Sequence, residues 1–175
     1  PVDARISDKL ASLIEPFTVG CRAARRGMLP AGNGQYIAGQ NAVVFGCGTI
    51  GIAAAVAFQY FGMDKVMICD HSDYRLHLAE KLGFETCNPT KENFKCHAET
   101  YFETAPSLLE KTANIDCWLD AAGVESILDD FQRLGKIESR FVSVAVHNTP
   151  RTIDLLHMTY AQQSIIGTGG YMPED

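Results

Sequence analysis

Hydrophobic residues in this chain fall into short unbroken runs separated by stretches of helical spacing. Ala42–Phe45, Lys65–Cys69, Phe84–Cys87, Ile115–Asp120, Phe141–Val146 and Ser164–Thr168 are rich in apolar and β-branched side chains. Continuous rather than alternating apolar character is what a strand covered on both faces requires. Between these runs, Ala53–Phe61, Asp73–Leu82, Glu125–Leu134 and Ile153–Tyr160 read as helices, with Tyr74, Leu78, Ala79 and Leu82 on one face of the second. The least regular region is 91–114, where a helix is expected over Pro106–Thr112. Near the start, Ile6, Leu10, Leu13 and Ile14 recur at helical spacing until Pro16 interrupts. Thr18–Gly27 then resumes as a second helix, with Arg25 and Arg26 in its last turn. Residues 28–40 read as a glycine-rich loop. Strands alternating with helices imply an α/β chain: a doubly wound, six-stranded parallel sheet.

Chemistry concentrates in the stretch from Asn41 to Asp70. Gly46-Cys47-Gly48-Thr49-Ile50-Gly51 fits G-x-G-x-x-G between a strand and a helix, and Asp70 closes the next strand 19 residues after Gly51. Each residue has a physical role in a dinucleotide site of the Rossmann type. Gly46 permits the tight turn, Gly48 admits a pyrophosphate close to the backbone, and Gly51 allows close helix–strand packing. Free N–H groups at the helix start face the phosphate charge. Asp70 accepts from both hydroxyls of an adenosine ribose. Its carboxylate repels a 2′-phosphate, which favours NAD over NADP; Arg75 works the other way but lies off the strand end.

Composition narrows the picture further. The 175 residues suffice for one domain with a sizeable core plus a short attachment. A net charge of −6 argues against a nucleic-acid surface. No apolar run approaches a membrane span, and no basic start precedes an apolar signal core. Cys21, Cys47, Cys69, Cys87, Cys96 and Cys117 form no C-x-x-C pair, and three lie in or beside expected strands. They read as reduced, mostly buried thiols of a cytoplasmic protein. His71, His77, His97, His147 and His157 are scattered, and Cys96-His97 reads as a surface pair rather than a metal site. Position 1 is proline rather than methionine, so the sequence is expected to be cut from a longer chain.

The line IEPFTVGCRAARRG, with AGQNAVVFGCGTIGIAAAVAF, CDHSDYRLHLAEKLGFETCNP and IDCWLDAAG, resembles the medium-chain, zinc-dependent alcohol and polyol dehydrogenases. The flavour is that of the sorbitol and threonine dehydrogenase branch. The resemblance covers nearly the whole chain and implies a cofactor-binding domain over 28–175. Residues 1–27 would then be a helical segment linking to an absent catalytic domain. It implies that Thr49 and Ile50 supply backbone N–H groups beside Gly46, Gly48 and Gly51, and that Arg75 packs beside the ribose held by Asp70. Ala121 and Gly123 would line the cofactor, and the backbones of Val144–Val146 and Thr168–Gly170 would hold the nicotinamide amide. Glu15 matches a glutamate found near the catalytic zinc. The family's other zinc ligands, its Gly-His-Glu segment and its four-cysteine lobe are absent from this chain.

The reaction implied is hydride transfer between an alcohol (a polyol, sugar or amino alcohol) and NAD, with zinc in the parent enzyme and no activity in this chain alone. Two other readings stay open: a stand-alone NAD-binding or redox-sensing module, and an S-adenosylmethionine-dependent methyltransferase. The latter also uses a glycine turn and a ribose-binding acid, but usually closes its sheet with an antiparallel hairpin. The apolar sixth strand, SIIGT, is the expected sheet edge and invites a homodimer through strand pairing.

Overall fold

In a computed structural model, which describes residues 3, 5–32, 34–173 and 175, the expected strands assemble into one six-stranded sheet. The elements in chain order are α1 (Asp8–Gly27), β1 (Pro30–Gly32), β2 (Gln35–Tyr36), β3 (Asn41–Phe45), α2 (Thr49–Tyr60), β4 (Lys65–Cys69), α3 (Asp73–Glu80) and β5 (Glu85–Cys87). They continue with α4 (Phe94–Phe102), β6 (Thr104–Pro106), β7 (Lys111–Ala113), β8 (Cys117–Asp120), α5 (Glu125–Leu134), β9 (Arg140–Ser143), α6 (Leu155–Ala161) and β10 (Ser164–Gly167). The sheet order is β10-β9-β8-β3-β4-β5, and every pairing in it is parallel. The chain winds outward from β3 in one direction and from β8 in the other. That reversal leaves a crevice between the loops that follow β3 and β8. Because β10 joins β9 in parallel, the antiparallel closure expected of a methyltransferase is not formed.

Both faces of the sheet are covered, as its unbroken apolar strands require. Alternate residues of β3 divide between two cores: Ala42 and Val44 pack with α1, α2 and α3, while Val43 and Phe45 pack with α4 and α5. Trp118 on β8 anchors the second core, with ring centroids 5.6 Å from Phe45, 5.4 Å from Phe94 and 5.9 Å from Phe131.

Several elements depart from expectation for identifiable reasons. Pro16 does not divide the N-terminal segment, because α1 runs through it as one helix of 20 residues. An internal proline costs a helix roughly 3 kcal/mol. Here the second half of α1 buries Gly20, Ala23, Ala24 and Gly27, and that packing outweighs the cost. Arg140 reinforces it by donating from Nε to the Gly27 carbonyl at 2.7 Å and from a terminal nitrogen to Gln40 Oε1 at 2.6 Å. Pro106–Thr112 is not a helix; it lies within the antiparallel hairpin of β6 and β7. The helix of this region falls earlier, where Asn93 caps α4 by accepting from Cys96 N at 3.1 Å. Glu103, at φ 66°, ends it. On α3 the buried residues are Leu76 and Ala79; Tyr74, Leu78 and Leu82 are exposed. Within 28–40, β1 and β2 pair as a short hairpin.

The spacing between α1 and α2 depends on having no side chain at one position. A Cβ on Gly20 would sit 2.6 Å from the Ala53 Cβ and 2.7 Å from the Ala54 backbone nitrogen. Gly20→Ala is therefore expected to lower stability by about 1–3 kcal/mol in urea unfolding. Leu10→Ser, on the exposed half of the same helix, should stay within about 0.5 kcal/mol of the parent chain.

Candidate functional site

The loop after β3 is built almost entirely by backbone. Gly46 takes φ +101°, and its N–H donates to the Cys69 carbonyl at 2.8 Å. Gly51 is set by contact: a Cβ there would lie 1.8 Å from the Gly46 carbonyl oxygen, a backbone atom held by the same turn. Gly48 differs from both. Its backbone is extended (φ −87°, ψ −173°), and an added Cβ would meet nothing within 4 Å. The protein's own packing does not demand a glycine at position 48, so the space it leaves is open to a ligand. Gly48 caps α2 without a side-chain hydrogen bond, and no acidic residue occupies the first turn. The N–H groups of Thr49, Ile50 and their neighbours at this end thus face outward with the positive end of the helix dipole.

Asp70 lies directly beside this turn, its side chain 11% exposed. Oδ2 accepts the Cys47 N–H at 2.7 Å and Oδ1 accepts the Ser72 N–H at 2.8 Å. The Arg75 guanidinium, more than half exposed, approaches Oδ2 at 3.8 Å. A carboxylate has about four acceptor positions, so two backbone donors leave capacity for ligand hydroxyls. Between β4 and α5 opens a cavity of about 370 Å³, with Phe45, Phe94, Val124 and Ile127 as apolar walls and Asp70 and Asp130 at its polar margin.

The other half of the crevice is organised by a residue the sequence reading passed over. Asp120, at the end of β8, is fully buried. Its Oδ1 accepts the Ala122 and Gly123 N–H groups at 2.9 and 2.8 Å, and its Oδ2 accepts from His147 Nε2 at 2.7 Å. This wraps the loop carrying Ala121 and Gly123 (φ +72°) around the carboxylate and ties it to the segment after β9. The backbone of Ala121 stands 3.0 Å from the Cβ position of Gly46, so the two halves of the crevice touch.

Val144 and Thr168 are placed beside this loop, but their amides are already used: Val144 N donates to the Asp120 carbonyl at 3.1 Å and Thr168 N to the Ser143 carbonyl at 3.0 Å. β9 accordingly ends at Ser143 instead of running on to Val146. Val146 is 83% exposed, and Gly170, at φ +70°, is exposed as well. Glu15 is apart from all of this, exposed on α1.

A family model described as zinc-binding dehydrogenase matches residues 46–175, the span from the glycine turn to the end of the chain. The chain belongs to the zinc-binding dehydrogenase family. It is 34% identical over 137 residues to L-threonine 3-dehydrogenase of Shewanella pealeana, covering 75% of this chain and 36% of the relative. It is 26% identical over 172 residues to 2-dehydro-3-deoxy-L-galactonate 5-dehydrogenase of Pseudoalteromonas atlantica, covering 98% of this chain and 46% of the relative. This zinc-binding dehydrogenase chain therefore spans less than half the length of these curated relatives.

Solved structures share its fold. A short chain alcohol dehydrogenase of Escherichia coli CFT073, complexed with NADH, superposes with TM-score 0.77 at 20% identity over 99% of this chain and 47% of that one. A zinc-binding dehydrogenase of Sinorhizobium meliloti bound to NADP superposes with TM-score 0.67 at 18% identity, over 90% and 43%.

The two kinds of glycine in the turn separate experimentally. Gly51→Ala is expected to lose several kcal/mol of stability, of the order seen for overpacked cores, because neither backbone segment can retreat. Gly48→Ser should fold with unchanged or slightly raised stability, since serine caps a helix at least as well. Thiol reactivity checks the same geometry. Burial, with Asp70 adding to it, pushes the Cys47 thiol up to about 11, and burial pushes Cys117 up to about 12. In the native chain at mildly alkaline pH, exposed Cys96 should alkylate first, with Cys47 and Cys117 protected until the chain unfolds; mass spectrometry reads the order.

Proposed function

We propose that this chain is the NAD-binding part of a dehydrogenase that transfers hydride between an alcohol and NAD. The observation that carries the reading is Gly48, a glycine whose missing side chain relieves no contact within the protein but clears the mouth of an uncapped helix N-terminus. An anionic pyrophosphate fits that space and that charge. Asp70 would then receive the adenosine ribose, and the cavity beside it, walled by Phe45, Phe94 and Ile127, has the shape and apolarity for an adenine plate. On the far half, Ala121–Gly123, Val146 and Gly170 are the groups left to meet the nicotinamide end, along with the carbonyls of Val144 and Thr168.

NAD is favoured over NADP on electrostatic grounds. A 2′-phosphate at Asp70 would meet a carboxylate already fixed by two backbone donors and unable to swing away. Arg75 is near enough to share its charge with that carboxylate, which weakens its claim on a phosphate. Bound NAD supplies the hydride-accepting ring; the chain's residues hold it in place and exclude water around the adenosine.

The residues present do not assemble a catalytic zinc centre. Glu15 is exposed on α1, and among the described residues it joins no other metal-donor group. No step through zinc is derived from this chain. Alcohol activation belongs to the remainder of the parent enzyme, and a polyol, sugar or amino alcohol is the substrate class proposed. The 175-residue chain alone is then expected to produce no NADH from alcohols, and NADH formation by it would overturn this division of labour.

The exposed edge of β10, with Ile165 and Ile166 half-buried, is proposed to pair with a second copy. Light scattering should report a dimer, and a monomer at every concentration would refute the pairing. Six free thiols favour a reducing compartment such as the cytoplasm for this protein. No helix among the described residues is long and apolar enough to cross a membrane.

Thermal unfolding with each dinucleotide tests the site. At about a hundred times its dissociation constant, a ligand of the native state adds about 2.7 kcal/mol, a rise of roughly 5–10 °C for a chain of this size. NAD should produce the larger rise. Gly48→Ser should keep its melting temperature and lose the rise. Asp70→Asn, which keeps an acceptor for the turn, should narrow the gap between NAD and NADP. A rise retained in full by Gly48→Ser would refute the pyrophosphate assignment.

A further inference from the structure

A second group of polar side chains lies behind the adenosine cavity, and nothing in the proposed reaction uses it. Cys87, Glu92 and His97 place a sulfur, a carboxylate oxygen and an imidazole nitrogen within 4.8 Å of one another. They come from three adjoining pieces of chain: Cys87 ends β5, Glu92 lies in the following turn, and His97 is in the first turns of α4. The carboxylate and the imidazole each also have a partner outside the group. Glu92 Oε1 accepts the Asn88 N–H at 3.0 Å, which fixes the carboxylate within its turn. His97 is held between two carboxylates, with Nδ1 2.7 Å from Glu92 Oε2 and Nε2 2.7 Å from Glu85 Oε1. The pairing of His97 with Cys87 is invisible in the sequence, where its neighbour Cys96 is the nearer thiol; Cys96 is exposed.

A second buried thiol backs the group from the sheet side. Cys69 pairs directly with Cys87 across the parallel strands β4 and β5, and its thiol leans on the Cys87 sulfur.

We propose that Cys87, Glu92 and His97, with solvent completing the coordination, form a binding site for a zinc-class divalent cation. The donor set decides the class. Thiolate and imidazole select a borderline-soft ion such as Zn²⁺ over Mg²⁺ or Ca²⁺, which prefer oxygen. The Glu85 carboxylate on the far ring nitrogen completes the pattern in which a metal-bound histidine donates its other N–H to an acid. On binding, the ion replaces the proton that His97 Nδ1 shares with Glu92 and the thiol proton of Cys87; both protons leave to solvent. Charge is nearly matched, since a dication meets a thiolate and a carboxylate. The site lies on the outer edge of the sheet beside β5, away from the crevice between β3 and β8.

The experiment is a titration of the chelator-treated, reduced 175-residue chain with Co²⁺ and then Zn²⁺. The expected result is one equivalent of Co²⁺ with a thiolate-to-cobalt charge-transfer band, displaced by Zn²⁺, and a melting temperature that rises with Zn²⁺. Cys87→Ser should abolish the band, and His97→Gln should weaken binding at least tenfold. Glu85→Gln should cost about 10–100-fold in affinity. Cys96→Ser, at an exposed position, should change nothing. Circular dichroism on each variant separates loss of metal from loss of fold. The absence of the band in the parent chain, or its survival in a folded Cys87→Ser, would overturn the proposal. NAD titration of the same samples reports on the crevice separately.

Discussion

The arrangement rests on a contact between backbones. At Gly51 the α-carbon of α2 faces the Gly46 carbonyl so closely that a single carbon would overlap it, at 1.8 Å. That approach brings the start of α2 down onto the end of β3, and it fixes the direction in which the helix leaves the turn. Small residues then carry the same closeness outward. Ala53, Ala54, Ala55 and Ala57 are buried along α2, and Gly20 of α1 lies against Ala53. Three layers are thereby stacked at spacings that larger side chains would forbid. The open volume at Gly48 exists because everything around it is this tight: the turn cannot relax to fill it.

Acids at strand ends do a second part of the work, and they do it twice. Asp70 directly follows β4 and accepts two backbone N–H groups; Asp120 ends β8 and accepts two more, plus a bond from His147 Nε2. Each carboxylate satisfies donors that a sharp turn would otherwise leave unpaired, and burial makes that satisfaction costly to remove. They differ in what remains. Asp120 is wholly enclosed and serves shape alone, whereas Asp70 keeps part of its surface at the cavity and can serve shape and ligand together. Its two backbone bonds leave lone pairs on the open side of the carboxylate.

The sheet was legible in the sequence because its strands are buried on both faces, which turns burial into unbroken apolar runs such as Ala42–Phe45. The glycine turn and Asp70 were legible for a related reason: their spacing is set by one strand, one turn and one helix, all local. What sequence reading lost was decided at a distance. Pro16 looks like a break until the packing of Gly20, Ala23 and Ala24 against α2 is known. Pro106–Thr112 carries residues compatible with a helix, yet the hairpin register and the helix ended at Glu103 take precedence. Asp120 and His147 are 27 positions apart and meet only because β8 and β9 are neighbours. The one local sign of that role, an acid immediately before Ala121-Ala122-Gly123, was read as the end of a strand and nothing more.

The end of β4 joins the two sites described here. Cys69 and Asp70 are consecutive, and alternation along a strand sends their side chains to different neighbours. Asp70 turns to the glycine loop, while Cys69 turns toward Cys87 and also forms part of the cavity wall. Phe94, in the first turn of α4, packs on Phe45 and Trp118 at the floor of the same cavity, three residues before His97. A cation drawing Cys87 and His97 together would pull on β5 and α4 at once, and Phe94 moves with α4. Phe94 of the cavity wall and His97 thus sit on the same short helix.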